Sequence, residues 1–119
     1  MSHASTFGKM AEQKATEHLQ SLGYQILARN LRWRSKEIDI IAQENETLVI
    51  VELKARSSLY FGTPESFVSR RKITHLVEAT NAYMDRHSLS FEVRFDIVSV
   101  FFSHGQWDIK HIPNSFYVF

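Results

Sequence analysis

Between about Ala4 and Leu22, the apolar residues Phe7, Met10, Ala11, Ala15, Leu19 and Leu22 recur at helical spacing, with Lys9, Gln13, Lys14 and Glu17 between them. This period predicts an amphipathic first helix, with Gly23 as its C-cap. Tyr24 to Asn30 then reads as a rather polar strand, Arg32 to Lys36 as a basic turn, and Glu37 to Ala42 as a β-branched strand. Glu44-Asn45-Glu46 supplies turn chemistry before Thr47 to Lys54, the strongest strand pattern in the chain. Thr63 as N-cap and Pro64 at the first helical position predict a second helix running to about Arg86, with a break near Ser69. Its expected buried stripe is Leu76, Val77, Thr80, Tyr83 and Met84. Two strands close the pattern, Phe91 to Phe102 and Trp107 to Ile112, around a Ser103-His104-Gly105 turn.

The order helix, three strands, helix, two strands predicts an α/β (α+β) arrangement, a mixed sheet flanked by helices. The long second helix suits a crossover joining parallel strands. A chain of 119 residues fits a single domain over 1–119, since domains cluster at roughly 100–150 residues. The apolar Ser115 to Phe119 is expected to pack on the domain, and it offers a route to a homodimer.

Composition narrows the function classes. The chain has no cysteine, so disulfides and thiolate metal sites are excluded. It shows no apolar run long enough to cross a bilayer and no secretory leader after Met1, which makes a cytoplasmic location the expectation. No glycine-rich phosphate loop or serine-nucleophile motif is present, and the six histidines lack metal-ligand spacing. A net charge of +1 neither suggests nor opposes a nucleic-acid partner.

The informative anomaly is Leu48-Val49-Ile50-Val51-Glu52-Leu53-Lys54. A near-continuous apolar run is what a strand buried on both faces looks like, and an unpaired carboxylate there is costly. Lys54 lies two residues beyond Glu52 and therefore on the same face. Asp39 repeats the anomaly on the preceding strand, and pairing through the 44–46 turn would bring it near Glu52. Two carboxylates with a lysine at their edge are what a Mg²⁺ (or Mn²⁺) phosphodiesterase site requires, because Mg²⁺ takes oxygen ligands and keeps several waters. A half-buried Glu–Lys pair at a sheet edge would give the same tripeptide. Around Trp33, the cations Arg29, Arg32, Arg34 and Lys36 combine phosphate-pairing groups with a stacking face. A solvated turn would look the same.

Asp39 followed by Glu52-Leu53-Lys54 resembles the PD-(D/E)xK nuclease superfamily. More narrowly, the chain resembles the YraN-like family of bacterial proteins, related to archaeal Holliday-junction resolvases. The matching residues extend from Ala11-Glu12 and Ala15 through Gly23-Tyr24, Arg29-Asn30, Glu37-Ile38-Asp39 and Val51 to Lys54 with Arg56. They continue in Phe61 to Pro64, Lys72, Ala79 and Arg94-Phe95-Asp96. The resemblance implies a restriction-endonuclease-like fold. It also implies a metal held by Asp39, Glu52 and the Leu53 carbonyl, a catalytic Lys54, and Glu12 as an additional catalytic acid. The residue pattern around Trp33 offers Arg32, Trp33, Arg34 and Lys36 as DNA contacts, Arg56 and Lys72 at family-matched positions join them, and no membrane partner is expected. The implied activity is metal-dependent cleavage of DNA phosphodiester bonds, structure-selective in repair or recombination. The alternative is a catalytically weak nucleic-acid-binding module of a larger DNA-processing assembly. Lys36 stands where relatives commonly have glycine.

Overall fold

Near-continuous apolar runs within Thr47–Ser57 and Glu92–Ser103 make these two strands the centre of the molecule, and every other element covers or extends them. The computed structural model describes residues 5–58, 62, 64 and 67–116. Along the chain these form α1 (Thr6–Ser21), β1 (Gln25–Trp33), β2 (Lys36–Glu44), β3 (Thr47–Ser57), α2 (Arg70–Arg86), β4 (Glu92–Ser103) and β5 (Gln106–Ile112). The strands make one mixed sheet in the order β1-β2-β3-β4-β5. Only β3 and β4 run parallel, because α2 connects them; the other neighbours are antiparallel hairpins. This is the expected α+β fold of a mixed sheet flanked by helices.

One face of the sheet carries α1. Ala11, Ala15 and Leu19 pack there on Ile40, Ala42, Val49, Val51, Leu53, Val98 and Val100. The other face carries α2, with Leu76 and Ala79 on Ile41, Leu48, Ile50 and Phe95. Covering both faces explains why β3 reads as an unbroken apolar run. Ser5 caps α1 by accepting from Gly8 N at 3.0 Å. At its other end Tyr24 N donates to the Leu19 carbonyl and Gly23 N to the Gln20 carbonyl, with Gly23 at φ 92. This Schellman pattern needs a left-handed residue, which glycine supplies at little cost.

Several expectations are corrected. The buried stripe of α1 centres on Gly8, Ala11, Glu12, Ala15, Thr16 and Leu19, whereas Met10 and Leu22 are about half exposed. Small residues face the sheet because the helix approaches it closely. The second helix begins at Arg70, not Pro64; Ser69 is extended and caps it by accepting from Lys72 N. The Pro64 carbonyl instead accepts from Phe67 N at 3.0 Å, and the expected cap Thr63 lies outside the described residues. The basic turn shrinks to two residues, Arg34 and Ser35, because Trp33 and Lys36 pair as strand residues. Of the apolar tail, Phe116 stacks on Phe95 with ring centroids 5.1 Å apart, and Tyr117 to Phe119 lie outside the described residues.

Candidate metal and nucleic-acid site

The ladder between β2 and β3 runs from Glu44↔Thr47 to Ile40↔Val51. The next residues along the two strands are Asp39 and Glu52. There the Asp39 side chain takes the place of a backbone partner, its Oδ2 accepting from Leu53 N at 2.8 Å. Strand alternation on β2 breaks at the same point, since Ile38 and Ile41 both pack in the cluster under α2. The carboxylate of Asp39 therefore lies against the backbone between Glu52 and Lys54. N–H and C=O of one strand residue point to the same side, so the Leu53 carbonyl is directed towards β2, where the ladder has ended.

Asp39 is 2% exposed and Glu52 8%. Glu52 shares the α2 face with Leu48 and Ile50, and Lys72 in the first turn of α2 brings its Nζ to 3.7 Å from Glu52 Oε1. That turn holds Arg70, Arg71 and Lys72 and no acid, an arrangement the helix dipole disfavours. Lys54 is half buried on the same face as Glu52, and among the described residues no ion pair engages it. Its register neighbour on β4 is Ser99, which is buried. Sequence reasoning passed over Ser99, although a serine within the apolar run Phe95 to Phe102 was a visible signal.

Glu12 occupies a different environment. On α1 it is 3% exposed; Arg29 Nε donates to its Oε2 at 2.6 Å and Asn30 Nδ2 to its Oε1 at 2.8 Å. Both oxygens thus have partners on β1. Among the described residues no three histidine or acidic side chains gather as a metal-holding group, so Glu12 is not drawn into one cluster with Asp39 and Glu52.

The basic candidates divide into two places. Trp33, Arg34 and Lys36 form the tip of the β1–β2 hairpin. The Arg34 guanidinium lies 4.6 Å and the Lys36 ammonium 5.4 Å from the Trp33 ring centroid, and Lys36 also reaches Glu78 of α2 at 3.4 Å. Arg32 is exposed on β1 opposite Glu37. Arg56 lies one face-repeat beyond Lys54 and Lys72 next to Glu52, so both adjoin the acidic edge. Lys36 and Asp39 are three residues apart on β2, which places the hairpin tip roughly 10 Å along the strand from the carboxylate.

A second charged centre lies on the other face of the sheet. Asp96 is fully buried and accepts from Arg94 Nε and Nη2, each at 2.9 Å, and from Asn114 N at 2.9 Å. His111 Nε2 lies 2.7 Å from its Oδ2. Arg94 further reaches Glu44 at 2.9 Å and the Tyr24 hydroxyl at 2.7 Å. Burial pushes the Asp96 carboxyl upward, but the bonds from His111, Arg94 and Asn114 outweigh it and hold the group below its ordinary value of 3.8. The Arg94 guanidinium is raised, chiefly by its bond to Asp96. Arg94 and Asp96 thus form a salt bridge along β4, extended by a histidine and a main-chain donor that join β5 and the C-terminal segment to it.

Fold and site together define an α+β protein with two acids and a lysine at one end of its central strands. It belongs to the uncharacterised protein family UPF0102, whose model matches residues 11–100. The chain is 44% identical to the UPF0102 protein FP2501 of Flavobacterium psychrophilum, over the full length of both chains. It is 40% identical to a UPF0102 protein of Persephonella marina, covering 92% of this chain and 91% of the other. Among solved structures it is similar to Hjc, a Holliday junction resolvase of Archaeoglobus fulgidus. That match has a TM-score of 0.48 and 14% identity over 89% of this chain and 76% of the other. Among the described residues no helix is long and apolar enough to cross a membrane.

Proposed function

We propose that residues 1–119 act as one domain that cleaves DNA phosphodiester bonds with the help of a divalent cation. The observation that carries this reading is the Asp39 carboxylate lodged on the Glu52–Leu53–Lys54 backbone. It joins two buried acids, an outward-directed carbonyl and a lysine at the place where a ladder ends. The donor set is all oxygen, with two carboxylates and one carbonyl, which suits Mg²⁺ or Mn²⁺ completing its shell with water. Such a cation would neutralise a scissile phosphate oxygen and acidify a bound water. Asp39, Glu52 and the Leu53 carbonyl would hold it. Lys54 orients the attacking water and offsets charge that develops on phosphorus. Lys72 holds Glu52 in place through their ion pair and adds a phosphate contact at the mouth of the site, beside Arg56. Glu12 serves through Arg29 and Asn30, steadying the β1 side.

The test is a labelled panel of duplex, single-stranded, flap, four-way-junction and RNA substrates with Mg²⁺ or Mn²⁺. Cleavage of a DNA substrate that stops on chelation is the expected result. Asp39→Asn keeps an acceptor for Leu53 N while removing the charge, so it should remain folded and lose metal affinity. If no substrate is cut and Asp39→Asn binds metal as the parent does, the reading fails.

The hairpin tip supports contact with nucleic acid. Arg34 adopts φ 60, a left-handed conformation that costs a non-glycine residue roughly 1–2 kcal/mol, and strain of this kind often marks a functional position. Arg34→Asn is expected to stabilise the fold by about 0.5–1 kcal/mol in denaturant titration, since asparagine tolerates this conformation. It should also weaken DNA binding and lower the slope of log affinity against log salt by about one. Unchanged affinity and slope would remove the hairpin from the interface.

A further inference from the structure

The sheet has two edges, and they differ in what they offer another strand. β1 carries Arg29, Arg32 and, just past its end, Arg34; its pairing with β2 shifts register between Ile26 and Ala28, and Asn30 sits at φ 52. Charged side chains, Pro and irregular backbone are the usual means by which an edge is kept from pairing. β5 carries one acid and one lysine, Asp108 and Lys110, whose opposite signs can complement a second copy, and its backbone is regular. It pairs with β4 without interruption from Ile97↔Ile112 to Ser103↔Gln106, and proline appears only after it, at Pro113.

The hairpin turn sets the direction of the β5 backbone groups. His104 and Gly105 both have positive φ, the type I′ geometry of a two-residue hairpin loop. In such a hairpin the flanking pair, Ser103 and Gln106, is hydrogen-bonded, and bonded and non-bonded pairs then alternate. Phe102 agrees with this: its carbonyl turns away from β5 and accepts from Ser58 N at 3.0 Å. The N–H and C=O groups of Trp107, Ile109 and His111 therefore point out of the open edge.

The geometry points to this edge as the surface on which a second copy of the chain docks, β5 against β5, antiparallel about a two-fold axis at Ile109. In that register Ile109 pairs with Ile109 of the partner subunit through its outward groups, and Trp107 pairs with the partner's His111. Asp108 falls opposite the partner's Lys110, and Lys110 opposite the partner's Asp108. Both charged residues are exposed. They occupy the non-hydrogen-bonded positions, where side chains approach most closely. Centring the axis on Asp108 or on Lys110 instead would set like charges against each other, so charge favours the Ile109 register over its two neighbours. On the opposite face, Phe7 of α1 stacks on Trp107 with centroids 5.5 Å apart. Met10, one helical step on, is 48% exposed and would be covered as two α1 helices come alongside. The result is one continuous sheet of twice the width, with both α1 helices on one face. This pairing goes beyond the nuclease reading and does not depend on it.

Sedimentation equilibrium of the full chain over a wide concentration range tests the proposal. The parent protein is expected to dimerise. Asp108→Lys should weaken the dimer about tenfold or more by setting lysines opposite lysines. The double exchange Asp108→Lys with Lys110→Asp should restore it. Ile109→Pro removes an outward N–H that no described strand of its own chain uses, and should give a monomer with a parental circular-dichroism spectrum. A parent that stays monomeric at every concentration would overturn the proposal. So would a dimer indifferent to both Asp108→Lys and Ile109→Pro.

Discussion

Replacing Lys54 with alanine is expected to slow single-turnover DNA cleavage by about 10²–10³-fold or more, the usual effect of removing one group aimed at developing charge. Fold and metal binding should survive. The residue is half buried near the end of β3, and no ion pair among the described residues depends on it. Its ammonium lies on the face of Glu52 but is not a ligand, so cation affinity measured by calorimetry should change by less than about twofold. Lys54→Arg should fail to rescue, because a planar guanidinium cannot replace a compact ammonium at a positioned water. Glu52→Gln should differ in kind, losing metal affinity and cleavage together. A Lys54→Ala protein that cuts at the parental rate would move the chemistry elsewhere.

Asp96→Ala is expected to destabilise the protein by about 3–5 kcal/mol, as breaking a buried ion pair usually does. The carboxylate is fully buried and joins Arg94, His111 and Asn114 N. Its loss would leave Arg94 with only Glu44 and the Tyr24 hydroxyl and remove one of the ties between the C-terminal segment and β4. The sign of the pH effect follows from the lowered carboxyl of Asp96. Its contribution to stability is fully present above the unfolded-state value, near pH ~4. It is lost as pH falls through the lower folded-state value, because the unfolded chain then binds the proton more readily. Urea titrations on a pH series should show a decline in parental stability below about pH 4 that is reduced in Asp96→Ala. Equal acid sensitivity in both proteins would remove Asp96 from that role.

The element order was legible because the signals were local. Gly23 marked the end of α1, Glu44-Asn45-Glu46 marked a hairpin, and the apolar run into Glu52 marked a central strand. Asp39 and Glu52 stood out for the same reason, as charges in segments that should exclude them. Errors arose where a decision depended on what lay opposite. Met10 and Leu22 satisfy the helical period of α1, but close packing against β3 and β4 selects its small-residue stripe. Pro64 has the chemistry of a helix start, yet Ser69 provides the cap. Glu12, an additional acid by resemblance, is a separate matter: only the tertiary structure shows Arg29 and Asn30 of β1 bonded to its two oxygens.

The sequence by itself determined the elements, the mixed helix-and-strand class and the residues carrying unusual chemistry, because propensity, periodicity and turn chemistry act over a few neighbouring positions. Only the tertiary structure decided which charges meet. The end of the β2–β3 ladder at Ile40 places the Asp39 carboxylate on the Leu53 amide. The parallel pairing of β3 with β4 brings Ser99 beside Lys54, and the crossover through α2 carries Lys72 to Glu52. Asp96 gathers partners from β4, β5 and the segment beyond. These contacts join residues far apart in the chain, and their geometry is set by strand register and helix placement, which no local pattern specifies.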